Sequence, residues 1–185
     1  MSIIWVCIVL CAVIWFANGM CILHAVKNKI TSELYMHTGL ALFFSVPALE
    51  MTVGNAGAWN HSEMLWLEVI GWMLYVPSAI LVISSMTGLF RKGATKGTDF
   101  TDTTTIIKSG IYGLIRQPMT LGLAIWSLAM AMVFQSAVTL ILGLISIFCF
   151  WMAAGKESEY NIRKFGDDYS EYMKKVPMWN FFRKR

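Results

Sequence analysis

Residues 119–155 form an uninterrupted stretch of 37 residues without a charged side chain. A bilayer core of about 30 Å is crossed by about 20 helical residues, so this stretch is too long for one membrane span. Phe134, Gln135 and Ser136 interrupt it near the middle. The stretch therefore predicts a tight hairpin of two transmembrane helices.

Three earlier stretches are also long and apolar. Residues 2–26 contain no charged side chain, residues 34–54 contain only Glu50, and residues 64–90 contain only Glu68. The chain is 57% hydrophobic and 14% charged, whereas soluble domains are about 45–50% apolar and about 25% charged. We therefore predict an all-α polytopic membrane protein with about five transmembrane helices.

The fifteen basic residues lie in three alternate segments between or after the predicted spans. The first connection holds two of them, the third connection five, and the tail eight: Lys27, Lys29; Arg91, Lys92, Lys96, Lys108, Arg116; Lys156, Arg163, Lys164, Lys174, Lys175, Arg183, Lys184, Arg185. The positive-inside rule then places the N-terminus outside and the C-terminus in the cytoplasm. A net charge of +4 segregated in this way does not indicate a nucleic-acid partner.

Neither the cysteines nor the histidines have the spacing of metal ligands. The four cysteines lie inside apolar stretches and are expected to serve in packing: Cys7, Cys11, Cys21, Cys149. The three histidines are far apart in the sequence: His24, His37, His61. We therefore predict no metal site.

The connection before the hairpin, residues 91–118, is polar and ends in Arg116, Gln117 and Pro118. Proline is favoured at the first position of a helix, so Pro118 is predicted to begin the fourth span. A helix N-terminus beside a guanidinium is suited to bind an anion such as a carboxylate or phosphate. The alternative is that Arg116 only extends to the membrane surface.

The fifth span is predicted to continue out of the membrane as far as Gly166, a residue typical of helix ends. Apolar residues then recur at steps of three and four: Ile162, Phe165, Tyr169, Tyr172, Met173, Val176. This spacing predicts a cytoplasmic amphipathic helix that ends at Pro177. Trp179, which follows it, is of the type that anchors chains at a membrane interface.

Two sequence blocks resemble those of the isoprenylcysteine carboxyl methyltransferase and phospholipid methyltransferase superfamily. The superfamily has a G-x-Y-x-x-x-R-H-P-x-Y-x-G block before a transmembrane hairpin, and acidic residues, F-G-x-x-Y-x-x-Y and V-P after it. The matching residues here are Gly110, Tyr112, Arg116, Pro118, Gly122, Glu157, Glu159, Phe165, Gly166, Tyr169, Tyr172, Val176 and Pro177. Gln117 stands in place of the family histidine, and Thr120 in place of the first-block tyrosine.

The resemblance implies a membrane methyltransferase that uses S-adenosylmethionine and a lipophilic acceptor entering from the bilayer. It implies that the amino-acid end of this cofactor meets Tyr112, Arg116, Gln117 and Thr120. It further implies that Tyr169 and Tyr172 close the pocket, and that Glu157 and Glu159 hold the ribose or ammonium group or orient Arg116. Arg116 and Glu157 are the expected catalytic residues, with Glu157 as the base if the acceptor is an amine.

On this interpretation the chain has two parts. Residues 1–90 supply three transmembrane helices, and residues 91–185 form the cofactor-binding core. Two alternatives share the same core: an NADPH-dependent sterol-type reductase, and a membrane subunit without catalysis, which the changes at Gln117 and Thr120 would favour. The acceptor stays open among prenylated cysteine, a phospholipid amine and another small lipophilic molecule.

Overall fold

The computed structural model describes residues 2–92 and 105–180, and the regular elements in these ranges are helices. They are α1 (Ser2–Lys27), α2 (Thr31–Leu49), α3 (Leu65–Lys92), α4 (Pro118–Phe134), α5 (Ala137–Phe165) and α6 (Asp167–Lys175), with a π-helical turn at Glu50–Gly54 and a 3-10 turn at Gly110–Gly113. The expected features of residues 93–104 and 181–185, Lys96 and Arg183 among them, lie outside the described residues.

Four of the described helices, α1, α2, α3 and α5, are long and apolar enough to cross a membrane. Helix α4 is apolar too, and its 17 residues are at the lower limit of a membrane span. The predicted all-α polytopic architecture is confirmed. Pro118 is the first residue of α4, as its position in the sequence indicates.

The hairpin turns where the sequence predicts it. Helix α4 ends at Phe134, and Gln135 then takes a left-handed conformation with φ of 50°. Ser136 caps the next helix, because its hydroxyl accepts a hydrogen bond of 3.0 Å from the backbone N–H of Thr139. A residue with positive φ followed by a capping serine stops one helix and starts the other within two residues.

Helix α3 packs along α4 and helix α2 along α5, while α1 lies beside α2. Small residues make this packing close. A Cβ atom on Gly122 would lie 2.8 Å from Val82, and the Gly122 carbonyl accepts a 2.8 Å hydrogen bond from the hydroxyl of Ser78. A Cβ atom on Gly39 would similarly lie 2.8 Å from the ring of Phe150. Glycine lets the backbones approach in this way inside a membrane.

The connections meet at two opposite ends of the bundle. At the hairpin end (residues 50–64 and 134–139), the backbone N–H of Ser62 donates to the carbonyl of Gln135 at 3.0 Å. At the tail end (residues 105–117 and 157–180), the backbone N–H of Arg116 donates to the carbonyl of Pro177 at 2.9 Å. Two of the three basic segments, the third connection and the tail, therefore lie at the same end of the bundle.

Glu50 is the centre of a buried polar cluster at the hairpin end. Its carboxylate is 1% exposed and accepts hydrogen bonds from the Trp59 indole at 3.1 Å and from the hydroxyls of Ser136 and Thr139. The Nε2 atom of His61 lies 2.8 Å from the same carboxylate. Burying a carboxylate in this way costs free energy unless it is fully hydrogen-bonded. The hydrogen bonds of the cluster therefore connect the end of α2, the following connection and α5.

We expect Glu50→Gln to lower the free energy of unfolding by about 1–3 kcal/mol, since an amide cannot accept all of these hydrogen bonds. For a chain of this size, each kcal/mol corresponds to roughly 2–4 °C in melting temperature. The measurement is thermal unfolding in detergent. The matched control is Glu68→Gln, because Glu68 is only partly buried and its carboxylate accepts a long, 3.4 Å hydrogen bond from the Trp72 indole. Equal melting temperatures for both variants would contradict a stabilising role for Glu50.

After α5 the chain forms the short helix α6, which has one apolar face, as predicted. Helix α5 ends at Phe165, the next residue Gly166 has a φ of 61°, and α6 begins at Asp167. Tyr169, Tyr172 and Val176 are buried in a cluster with Phe165, Met173 and Ile106. Trp179, the predicted interfacial residue, packs on the core, and its indole donates a 3.1 Å hydrogen bond to the Thr120 hydroxyl.

Candidate functional site

The two sequence blocks on either side of the hairpin meet at the tail end. The backbone N–H of Arg116 donates to Pro177 at 2.9 Å, and that of Gln117 donates to Met178 at 3.3 Å. These bonds leave the segment before α4 and the segment after α6 side by side. The arginine of the first block and the V-P of the second are therefore parts of one structure.

The Arg116 side chain strengthens the same junction. It is 9% exposed, and its Nη1 donates to the carbonyl of Val176 at 3.0 Å and to that of Met173 at 3.4 Å. Carbonyls at a helix C-terminus lack partners within the helix and carry partial negative charge, so a guanidinium is a suitable donor there. Arg116 thus holds the end of α6 and does not simply extend to the membrane surface.

A small pocket lies where α3, residues 105–117, α5 and α6 converge. Its walls include six of the predicted site residues: Tyr112, Arg116, Gln117, Glu157, Tyr169 and Tyr172. Leu89, residues 105–107, Asn161 and Phe165 complete the lining. The volume is about 40 Å³, room for a few water molecules. A larger ligand must therefore displace one of the walls.

Two of the predicted residues, Thr120 and Glu159, do not line this pocket. The Thr120 hydroxyl is fully buried, donates to the Gln117 carbonyl at 3.1 Å and accepts from Trp179. Glu159 has a side chain that is 58% exposed and pairs with Lys156 at 2.9 Å. Thr120 thus supports the backbone at the start of α4, while Glu159 lies in the solvated part of α5.

Glu157 is the carboxylate of the pocket. It is half-buried and accepts hydrogen bonds from the side chains of Gln117 and Asn161. The amide of Gln117 therefore contacts the acidic residue of the second block. Gln117 holds the pocket carboxylate without adding a positive charge.

Two polar residues near this carboxylate were not predicted. Asn161 lies four residues after Glu157 on the same face of α5, and this spacing is a signal that the sequence contains. Glu33, in the first turn of α2, is 3% exposed and close enough to Glu157 to act on it electrostatically. Its proximity depends on the packing of α2 against α5, for which the sequence offers no signal.

The tyrosines of the pocket are hydrogen-bond donors. Burial raises the pKa of the Tyr112 phenol, and the nearby Glu157 carboxylate raises that pKa further. Burial also raises the pKa values of Tyr169 and Tyr172. All three phenols therefore keep their protons at neutral pH, and Glu157 is the remaining residue of the pocket that could accept a proton.

No group of three potential metal ligands occurs in the part of the chain that the structure describes.

The fold and the site define the class of protein: an all-α membrane protein with a polar and aromatic pocket at one end of its helices. A family model for phospholipid methyltransferases matches residues 66–168, more than half of the chain. The chain belongs to this family of integral membrane proteins.

Among curated proteins, the chain is similar to protein-S-isoprenylcysteine O-methyltransferases. That of Homo sapiens is 28% identical over 140 residues, or 70% of this chain and 46% of the relative. That of Mus musculus is 25% identical over 180 residues, or 88% of this chain and 62% of the relative. The chain thus spans about half the length of the curated relatives it matches. No solved structure matches it significantly.

Proposed function

We propose that this chain is a methyltransferase that uses S-adenosylmethionine and acts on a lipophilic acceptor. The observation that carries the proposal is the pocket at the tail end. It combines the Arg116 guanidinium, the Glu157 carboxylate, two amide side chains and three phenols at the end of apolar helices. Membership of the phospholipid methyltransferase family and the similarity to protein-S-isoprenylcysteine O-methyltransferases support the same activity.

The residues of the pocket are suited to the charged groups of this cofactor. The buried Oδ1 atom of Asn161 has no hydrogen-bond partner among the described residues, and it adjoins the Glu157 carboxylate. Two adjacent acceptors suit the ammonium group or the ribose hydroxyls. Arg116 and Gln117 are the donors for the carboxylate, and the rings of Tyr169 and Tyr172 provide faces for the sulfonium.

The cofactor supplies a methyl group on a sulfonium, and transfer leaves the carbon–sulfur electron pair on sulfur. The protein has to position both reactants and exclude water. Tyr112, Tyr169 and Tyr172 shield the pocket and donate hydrogen bonds. Glu157 takes a proton if the acceptor is an amine, and takes none if the acceptor is already a carboxylate.

We also propose that the tail end faces the cytoplasm and that the N-terminus is outside. The support is the concentration of basic residues in the connections and tail at that end. A soluble charged donor would then reach the pocket from the water side, while the acceptor arrives through the bilayer. We further propose that residues 91–185 form the core of the site, with Leu89 of α3 and Glu33 of α2 in support.

Calorimetry with the purified protein in detergent tests the proposal. We expect saturable binding of S-adenosylmethionine and of its demethylated product, and no binding of NADPH. The expected binding follows from the pairing of Arg116 and Glu157 with opposite charges of one ligand. Tight NADPH binding without heat from either methyl-donor compound would contradict the proposal and favour the reductase. Absence of binding by all three would favour a subunit without catalysis.

A further inference from the structure

A second and larger cavity lies beside helix α6. We call it the α6 cavity: it is bounded by Lys108 and Gly113 of the connection before α4 and by residues of the segment 171–176. Its volume is about 450 Å³, compared with about 40 Å³ for the pocket that contains Glu157. Tyr172 lines both cavities, so α6 separates one from the other.

The α6 cavity carries a positive charge. Lys174 and Lys175 line it from the last turn of α6, and Lys108 lines it from the connection before α4. All three lysines are exposed, and none of them forms an ion pair or a hydrogen bond with another residue that the structure describes. Glu171 is the carboxylate of the described lining, so three lysines and one glutamate give a net charge of +2. An anion bound there would attract both segments.

The α6 cavity lies next to the membrane boundary. Helix α3 has 28 residues, a length of about 42 Å, whereas the bilayer core is about 30 Å thick, so the last turns of α3 reach the headgroup region. Tyr112 packs against these turns, because a Cβ atom on Gly88 would lie 3.0 Å from its ring. The next residue, Gly113, lines the cavity, and Leu114 after it is 54% exposed. Lipid headgroups are therefore neighbours of this cavity.

The two segments that line the α6 cavity are also joined by hydrogen bonds. The Tyr172 hydroxyl donates to the carbonyl of Tyr112, and the Arg116 guanidinium donates to the carbonyl of Val176 at 3.0 Å. An anion held by lysines of both segments would connect them in a further place. Binding in the cavity would therefore stabilise α6 in its docked position.

We propose that the α6 cavity binds the headgroup phosphate of an anionic phospholipid from the adjacent leaflet, and that this lipid holds α6 against the connection before α4. Ammonium groups form charge-assisted hydrogen bonds with phosphate oxygens, and basic segments near a membrane surface are attracted to anionic lipids. Glu171 is suited to accept hydrogen bonds from hydroxyl groups of the headgroup. The lipid in this site is a structural ligand, and its binding does not depend on the proposed methyl transfer.

Photolabelling of the full chain in phosphatidylcholine nanodiscs tests the α6 cavity. The probe is a phosphatidylglycerol with a diazirine on its headgroup, and the labelled residues are mapped by mass spectrometry. We expect saturable labelling within residues 108–113 or 171–176. A phosphatidylcholine with the same diazirine should label these segments at least tenfold less, because its headgroup has no net charge. Complete competition by soluble glycerol phosphate would indicate a site for a free phosphate compound and would overturn the lipid assignment.

Combining Lys174→Gln with Lys175→Gln should reduce this labelling about 10- to 30-fold, since each basic residue near an anionic surface contributes about fivefold. The matched control combines Lys27→Gln with Lys29→Gln. It removes the same charge from exposed lysines at the same end of the bundle but outside the cavity, so labelling should stay within about twofold of the parent. An equal loss in both double variants, or labelling without preference for these segments, overturns the proposal.

Protease cleavage after α6 tests the effect of the lipid on this helix. We expect phosphatidylglycerol to slow cleavage in the parent and in the Lys27/Lys29 control, and to have no effect in the Lys174/Lys175 variant. Cleavage of the parent at equal rates with and without phosphatidylglycerol would overturn the proposed attachment of α6.

Calorimetry with S-adenosylmethionine in detergent separates this proposal from the proposed function. Without phospholipid the measurement reports on the pocket that contains Glu157 alone, because none of the three lysines lines that pocket. Parent protein that binds the donor but is not labelled at the α6 cavity refutes the lipid site alone. Parent protein that is labelled at the α6 cavity but does not bind the donor refutes the methyltransferase function and supports the lipid site.

Discussion

Replacing Glu157 by glutamine is expected to weaken binding of S-adenosylmethionine by roughly 10- to 150-fold. The carboxylate is half-buried and oriented by Gln117 and Asn161, so it offers a positioned acceptor to the ribose or ammonium of the donor, and a bound ammonium group favours its charged form. A hydrogen bond to a charged group contributes about 1.5–3 kcal/mol, which corresponds to this range. Calorimetry in detergent measures the change directly.

Glu159→Gln is the control for this prediction. Glu159 lies on the same helix two residues away, but its side chain is largely exposed and pairs with Lys156. Exposed ion pairs contribute little, so its removal should leave the dissociation constant within about twofold of the parent. If both variants bind the donor equally well, the pocket described here does not hold the charged groups of the donor.

Arg116→Ala is expected to weaken donor binding more than Glu157→Gln does, by about 2–5 kcal/mol. The guanidinium is nearly buried, and removal of one partner from a buried charge pair has a cost of this size. Arg116→Lys should recover part of the loss, because an ammonium group lacks the forked geometry of a guanidinium. Donor binding by calorimetry is again the measurement.

The structure adds a second consequence for this variant. Arg116 also donates to the carbonyls of Met173 and Val176, so its loss should loosen α6 and increase cleavage after that helix by a protease. Lys108→Ala is the control, because Lys108 is exposed and lies in the same connection outside the pocket. Increased cleavage with unchanged donor binding would show that Arg116 serves only to attach the tail.

The span pattern and the tail were predictable because they depend on local properties. Long uncharged stretches define helices in lipid, and Gln135 and Gly166 occur where the backbone takes positive φ. The apolar spacing of Tyr169 and Tyr172 places both on one face of α6, as the structure has them. These features can be predicted from neighbouring residues in the sequence and from the boundary between water and lipid.

The pairing of the helices was not predictable from the same information. Helices surrounded by lipid are apolar on every side, so periodicity does not reveal which face of α2 meets α5. Glu33 reaches the vicinity of Glu157 only through that pairing, and Leu89 reaches the pocket through the pairing of α3 with α4. Six of the eight residues predicted for the site line the pocket, and they could be predicted because the sequence motifs mark them. Thr120 and Glu159 belong to the same motifs but lie outside the pocket, because the burial of Thr120 and the exposure of Glu159 depend on tertiary packing.

Helix α6 has two roles that depend on each other. Tyr169 and Tyr172 form walls of the pocket, and the same rings lie in the cluster that docks α6 on the rest of the chain. A ligand that binds only to the docked arrangement stabilises it by mass action, by about 2.7 kcal/mol when its free concentration is 100 times the dissociation constant. Occupancy of the pocket and docking of the tail are therefore thermodynamically linked, and each favours the other to the same extent.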